Sequence, residues 1–180
     1  SGIDEHLQKL VALRAFFDAS TDGVSRDEFA TFTRPLLDNR EAILSFSWIP
    51  RISRVERAAH ERAGAAGGIP GYHVKSVGPD GVIRPSPEAD VYYPVFFANE
   101  PPGSVSYGIN LQDGGVRQQA IDRAGDADAL SSTVNFRLQS GEGDRNGFFV
   151  ALPVFERGMP HDTLAARRAN LKGFVQGVFE

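Results

Sequence analysis

The stretch GFFVALPVFE, residues 147–156, constrains this chain more than any other. It is a long and nearly continuous apolar run. A run of that kind reads as a strand buried on both faces of a sheet. A second stretch, SFSWIPRISRVERAAHER at 45–62, has a different grammar. An apolar lead ends in Trp48, the only tryptophan, and a charged segment follows. Pro50 fits the first turn of a helix, where its missing N–H is no loss. Ile52, Val55 and Ala59 share a helical face by their spacing. The helix is expected to run from Pro50 to Ala66 and to stop before Gly67-Gly68.

The remaining segments fall into helices and hairpins. Ile3, Leu7, Leu10, Val11 and Phe17 give an amphipathic helix over 3–18, interrupted at Arg14. It reads as a helix packed on the domain or as a dimerising helix leading out of a membrane segment. Barely two heptads are too few to establish a coiled coil. Ser25 stands three residues before Glu28, a capping-box spacing, and opens a helix from Arg26 to about Asp38. Pro35 marks a kink or an early stop in it. Residues 71–77, 82–84, 91–99, 104–111, 132–138 and 171–179 read as extended. Pro79-Asp80-Gly81 is a turn by its chemistry, and Pro94 makes 91–99 an edge strand or a bulge. Asp113 reads as the N-cap of a helix to about Ala124, with Val116, Ala120, Ile121 and Ala124 on one face. Residues 141–146 read as a polar hairpin loop, and 163–170 as a helix or lead-in. The class is α+β, with mainly antiparallel sheets.

Composition narrows the function. The net charge of −4 leaves no basic footprint for nucleic acid or for an anionic membrane surface. No cysteine is present, which removes disulfides and thiolate zinc sites. No run approaches the roughly 18–20 apolar residues of a membrane helix, and no signal peptide is visible. Beginning at Ser1-Gly2 without Met, the chain reads as a piece of something longer. His6, His60, His73 and His161 show no metal-ligand spacing with one another, and HExxH, EF-hand and GxSxG patterns are missing. Glu142 and Asp144 lie in a Gly-rich turn and read as hydrated. The GAAGG and DGG pieces lack the pattern and lysine of a phosphate loop. No cofactor, metal or catalytic residue is expected. Arg51, Arg54, Glu56, Arg57, Glu61 and Arg62 form either a ligand-facing cluster or a solvated helix face with pairs such as Arg57–Glu61; the second reading is favoured.

WIPRISRVERAAHER resembles the Trp-x-Pro-Arg-Val…Glu-Arg…Phe-Glu signature of CHASE domains. The resemblance continues in order through GYHV at 71–74, ADVYYPVFF at 89–97, YGINL at 107–111, VRQQAIDRA at 116–124, GFFVALPVF at 147–155 and RRANLKGFVQGVF at 167–179. It implies a long N-terminal helix followed by two PAS-like modules. The helical region would be 1–40 and the sensor region 41–180, with a membrane-distal module at about 45–155 and a proximal part from 1–40 plus about 156–180. It further implies a periplasmic, small-molecule-sensing input domain of an inner-membrane receptor. The output would be a histidine kinase or a diguanylate cyclase or phosphodiesterase. The full-length receptor would be a homodimer, anchored by flanking helices outside this sequence. In that setting Tyr107, Leu111, Val116, Phe136, Phe149 and Leu152 are expected to wall a ligand cavity, with Asn110, Ser132, Thr133 and Asn135 supplying hydrogen bonds. Cytokinin receptors of the family carry an aspartate just before the arginine that matches Arg117. Val116 stands there instead, and a valine accepts no hydrogen bond from a purine ring. The competing readings are a periplasmic protein-interaction or dimerisation module with no small ligand, and an enzyme whose groups converge only in space.

Overall fold

The computed structural model describes residues 2–37, 43–133, 136–140 and 143–179. Its elements in chain order are α1 (Gly2–Ala19), α2 (Arg26–Thr33) running into a 3-10 turn (Arg34–Leu37), β1 (Ile43–Pro50), β2 (Ile52–Ser53), α3 (Arg57–Ala66), β3 (Lys75–Val77), β4 (Ile83–Pro85), β5 (Val91–Tyr92), β6 (Phe97–Ala98), α4 (Val116–Ala127), β7 (Ser131–Ser132), β8 (Phe136–Ser140), β9 (Gly143–Phe155), α5 (Leu164–Asn170) and β10 (Leu171–Phe179). The main sheet has the order β6-β1-β10-β9-β7, with β8 also paired to β9. Its ladders are antiparallel. The last strand of the chain thus lies at the middle of the sheet. Two small antiparallel pairs, β2–β5 and β3–β4, stand outside it. The class is α+β.

Strand alternation divides the core into two layers. On one face Phe46, Trp48, Val150, Leu152, Val154, Val175 and Phe179 pack under α1 and α2. On the other, Ile49, Phe149, Ala151 and Phe174 pack under α4 and the 91–111 segment. Both faces of β9 are therefore covered, as its apolar run requires. In α1 the buried positions are His6, Leu10, Leu13 and Phe17. Leu13 carries the stripe past Arg14, and Phe17 stacks on Trp48 with ring centres 4.3 Å apart. The capping box closes as expected: Glu28 N donates to Ser25 Oγ at 3.1 Å and Ser25 N to Glu28 Oε1 at 3.0 Å. The α-helix gives way to the 3-10 turn that contains Pro35.

The helix expected from Pro50 is corrected. Pro50 is the last residue of β1, opposite Gly173, where its missing donor costs nothing. Ile52 joins a strand pair with Tyr92, and α3 begins only at Arg57. The intervening turn is fixed by Ser53 N, which donates to Glu56 Oε1 at 2.9 Å. Val55 sits on that turn, 88% exposed, and is no part of an apolar face.

Other extended readings shorten for physical reasons. The 91–99 run breaks into β5 and β6, because Pro94 makes only an isolated bridge to Asn110. Of 71–77 only Lys75–Val77 is strand. The 104–111 segment is mostly turn, with Gly108 at φ +88° donating its N–H to Val95 O. Asp113 does not cap α4. Gly115 holds that position, and Asp113 Oδ1 accepts the Gly115 N–H at 2.8 Å. The polar loop expected over 141–146 is largely strand, since β9 begins at Gly143 opposite Ser140.

Candidate functional site

Of the ten residues expected around one hollow, the structure distributes the described ones over several surroundings. Leu111 and Phe149 share the layer beneath α4, both fully buried. Leu152 is buried on the opposite face, because it stands three positions after Phe149 along the strand, an odd step. Tyr107 is buried in a neighbouring cluster with Ile69 and Tyr72, and its hydroxyl donates to Ala98 O and Glu100 O. Asn110 is buried and structural: its Oδ1 accepts from Tyr93 N at 2.8 Å and Gln112 N at 3.1 Å. Thr133 Oγ1 accepts from Phe149 N at 3.1 Å. Val116 is exposed at the first turn of α4, off the face of Ala120, Ile121 and Ala124. Ser132 is exposed, and its carbonyl accepts from Arg123 at 3.0 Å. Asn135 lies outside the described residues, and Phe136 is in β8 opposite Gly147.

A cleft of about 360 Å³ opens at the edge of the layer beneath α4. Its floor is Leu171 and Phe174 of β10, and one wall is Ile121, Asp122, Gly125 and Asp126 of α4. Ile121 and Gly125 are four apart and face the sheet together. A Cβ on Gly125 would stand 3.4 Å from the Phe174 ring, an ordinary contact distance. Arg167 and Arg168 of α5 close one side, and Arg51 and Tyr93 the other.

The charges of the cleft are unequally committed. Arg168 grips both oxygens of Asp126, Nε at 3.1 Å and a terminal nitrogen at 3.0 Å, and holds that carboxyl below the usual range. Arg167 donates to Asp126 O at 2.7 Å and His161 O at 3.2 Å, satisfying a carbonyl at the C-terminal end of α4. Burial raises the Asp122 carboxyl, against a hydrogen bond from Gln118 that lowers it. Burial also raises the Tyr93 hydroxyl, and Arg51, hydrogen-bonded to it, acts in the opposite sense. Among the described residues no ion pair engages Arg51.

The charged cluster at 51–62 thus divides. Arg54 pairs with Glu88 and Asp90 at the surface. Arg57 lies over the Tyr92 ring and donates to Val74 O and Ser86 O, while Glu61 accepts from Val74 N. Those three hold the scaffold together, and Arg51 alone of the six lines this cleft. The sequence did carry a signal for it. Arg51 is two residues beyond Ile49, and strand alternation carries it to the face Ile49 occupies.

A second cleft of similar size lies between the end of α1 and the turn after β9. There Arg157 donates to Asp18 O and Ala19 O, and His161 Nδ1 is 3.0 Å from Asp128 Oδ2. Its ring stacks on Phe155. These contacts tie α1 to the 156–163 loop. Among the described residues no group of three acidic, His or Cys side chains is placed to hold a metal ion.

The CHASE domain family model matches residues 22–180. No curated protein matches the chain. CHASE domains are the extracytoplasmic sensory domains of receptors, with an input role and no catalytic one. With nearly all of its length matched, and an α+β structure whose helices cover both faces of an antiparallel sheet, the chain belongs to the CHASE domain family.

Proposed function

We propose that the chain is the periplasmic input domain of a transmembrane receptor and that a small molecule binds in the cleft between α4 and β10. One observation carries this reading: the floor of the cleft belongs to β10, the strand paired on one side with β1 and on the other with β9. A ligand wedged against Phe174 and Leu171 bears directly on the strand that organises the sheet. If two spacings of α4 and β10 exist, a ligand shifts their balance by its difference in affinity for them. The output is a histidine kinase or a diguanylate cyclase or phosphodiesterase, reached through helices flanking this sequence, in a homodimeric receptor. No helix of the described residues is long and apolar enough to cross a membrane. In the two-module description, α4 and β9 belong to the distal PAS-like part and β10 to the proximal part, so the proposed cleft would bridge the two.

Backbone NMR of the isolated chain against a small-molecule library tests this. The reading predicts shift changes centred on Ile121, Leu171 and Phe174. Hits that avoid those residues reject it. A second reading, a protein-interaction module, is favoured by Val77, Val82 and Ile83, which the β3–β4 hairpin leaves exposed. It predicts a dimer in sedimentation that Val82→Asp dissociates.

A further inference from the structure

We infer that the cleft between α4 and β10 takes a small carboxylic acid with an aromatic or branched aliphatic body, the carboxylate on the Arg51 guanidinium and the body on Phe174, Leu171 and Ile121. The inference rests on the reading of this cleft as the sensor's ligand site.

Three arginines and two aspartates line the cleft. Asp126 and Arg168 cancel in a two-point pair. Arg167 is aimed at two backbone carbonyls. Asp122 is exposed, and its carboxyl is met by the Gln118 side chain. An incoming amine therefore meets one aspartate already paired with an arginine and one that is hydrogen-bonded and open to water. Arg51 differs. Its backbone is fixed, because Arg51 N donates to Lys172 O at 2.9 Å. Its guanidinium acts on the Tyr93 hydroxyl, a neutral group that lines the same side of the cleft. Glu56, the carboxylate that feels its charge, is bound instead to Ser53 N at 2.9 Å. A planar guanidinium beside an apolar wall suits a carboxylate, which it can grip with two parallel N–H donors. The Tyr93 hydroxyl stands beside it as a further donor.

Size and shape agree. A space of about 360 Å³ is at the small end of ligand sites. Leu171 is the partly exposed apolar side chain of the cleft, Phe174 and Ile121 are packed behind it, and Gly125 adds no side chain above them. One guanidinium without an ion pair among the described residues matches one negative charge, so a monocarboxylate fits better than a dianion.

The test uses the full chain and three probes of one shape: phenylacetate, phenylacetamide and phenethylamine. Binding is followed by the methyl resonances of Ile121 and Leu171. Phenylacetate should bind at least tenfold more tightly than the amide. Arg51→Gln should reduce its affinity to that of the amide, and Arg51→Lys should keep part of it. If Arg51→Gln does not fold, the comparison of acid with amide on the native chain decides by itself. Equal affinities for acid and amide, tightest binding by the amine, or an Arg51→Gln protein that binds the acid unchanged would overturn the carboxylate assignment and leave the cleft standing as the ligand site. If none of the three moves Ile121 or Leu171 at millimolar concentration, the cleft reading falls and the assignment falls with it.

Discussion

His60 Nε2 and the Tyr72 hydroxyl lie 2.7 Å apart, and both side chains are buried. The Phe96 ring lies tilted against the imidazole, with ring centres 4.4 Å apart. Burial, aided by the charge of Arg26 and opposed by Glu61 and Glu56, holds His60 at about 4. It pushes the Tyr72 hydroxyl well above its ordinary value. The pair is therefore a neutral hydrogen bond across the physiological range.

That pairing sets a pH dependence. The unfolded histidine titrates near 6.5. Between there and about 4 the unfolded chain binds a proton that the folded chain does not. Stability is then complete above the unfolded value and declines as pH falls toward the folded one, by about 2 kcal/mol between pH 7.5 and pH 5. Asp18 and Asp122, whose carboxyls are raised by partial desolvation, act with the opposite sign at lower pH. Urea unfolding at pH 7.5 and 5.0 measures the slope, and His60→Gln should flatten it.

Gly173 is where β10 passes closest to β1. A Cβ there would lie 2.5 Å from Ile49 O, 2.7 Å from the Trp48 ring and 2.8 Å from Pro50 Cα. Gly173→Ala should cost about 1–3 kcal/mol through overpacking. Gly103→Ala is the control, since nothing stands within 4 Å of its Cβ position, and should leave the melting temperature nearly unchanged. Thermal melts of the two variants compare them directly.

Asn110 separates a structural role from a ligand-binding one. Its side chain holds the buried N–H of Tyr93 and that of Gln112. Asn110→Ala leaves these donors unpaired and should destabilise the unliganded chain by about 1–3 kcal/mol. A variant as stable as the native chain, but deficient in ligand binding, would return Asn110 to the ligand site.

Val116 also makes a prediction. It is exposed at the start of α4 and offers no acceptor to a purine ring. A cytokinin base such as trans-zeatin should leave the melting temperature within about 1 °C of the unliganded value, an affinity too weak to stabilise by mass action. Strong stabilisation in a thermal-shift assay would refute this.

The sequence was most legible where a single local rule was sufficient. The apolar run of β9, the capping box of Ser25 and Glu28, and the turn at Asp80-Gly81 appear where the pattern placed them. It was least legible where two rules compete. Pro50 suits either a first helical turn or a strand end, and the partner Gly173, far along the chain, decides between them. Residues 91–99 have the strongest strand composition, yet Pro94 cannot donate to a ladder and the strand divides. The site suffered from the same non-locality. Phe149 and Leu152 are close in sequence and lie on opposite faces, whereas Arg51 and Phe174 are remote and line one cleft. Only the register of β1 against β10 reveals that neighbourhood.

The central claim is that occupancy of the α4–β10 cleft is felt by the central strand. Hydrogen–deuterium exchange with and without saturating phenylacetate tests it most directly. The account predicts slower exchange in peptides covering 116–127 and 171–179, in the native chain and not in Arg51→Gln. Unchanged exchange in both segments, or slowing confined to other parts of the chain, would contradict it.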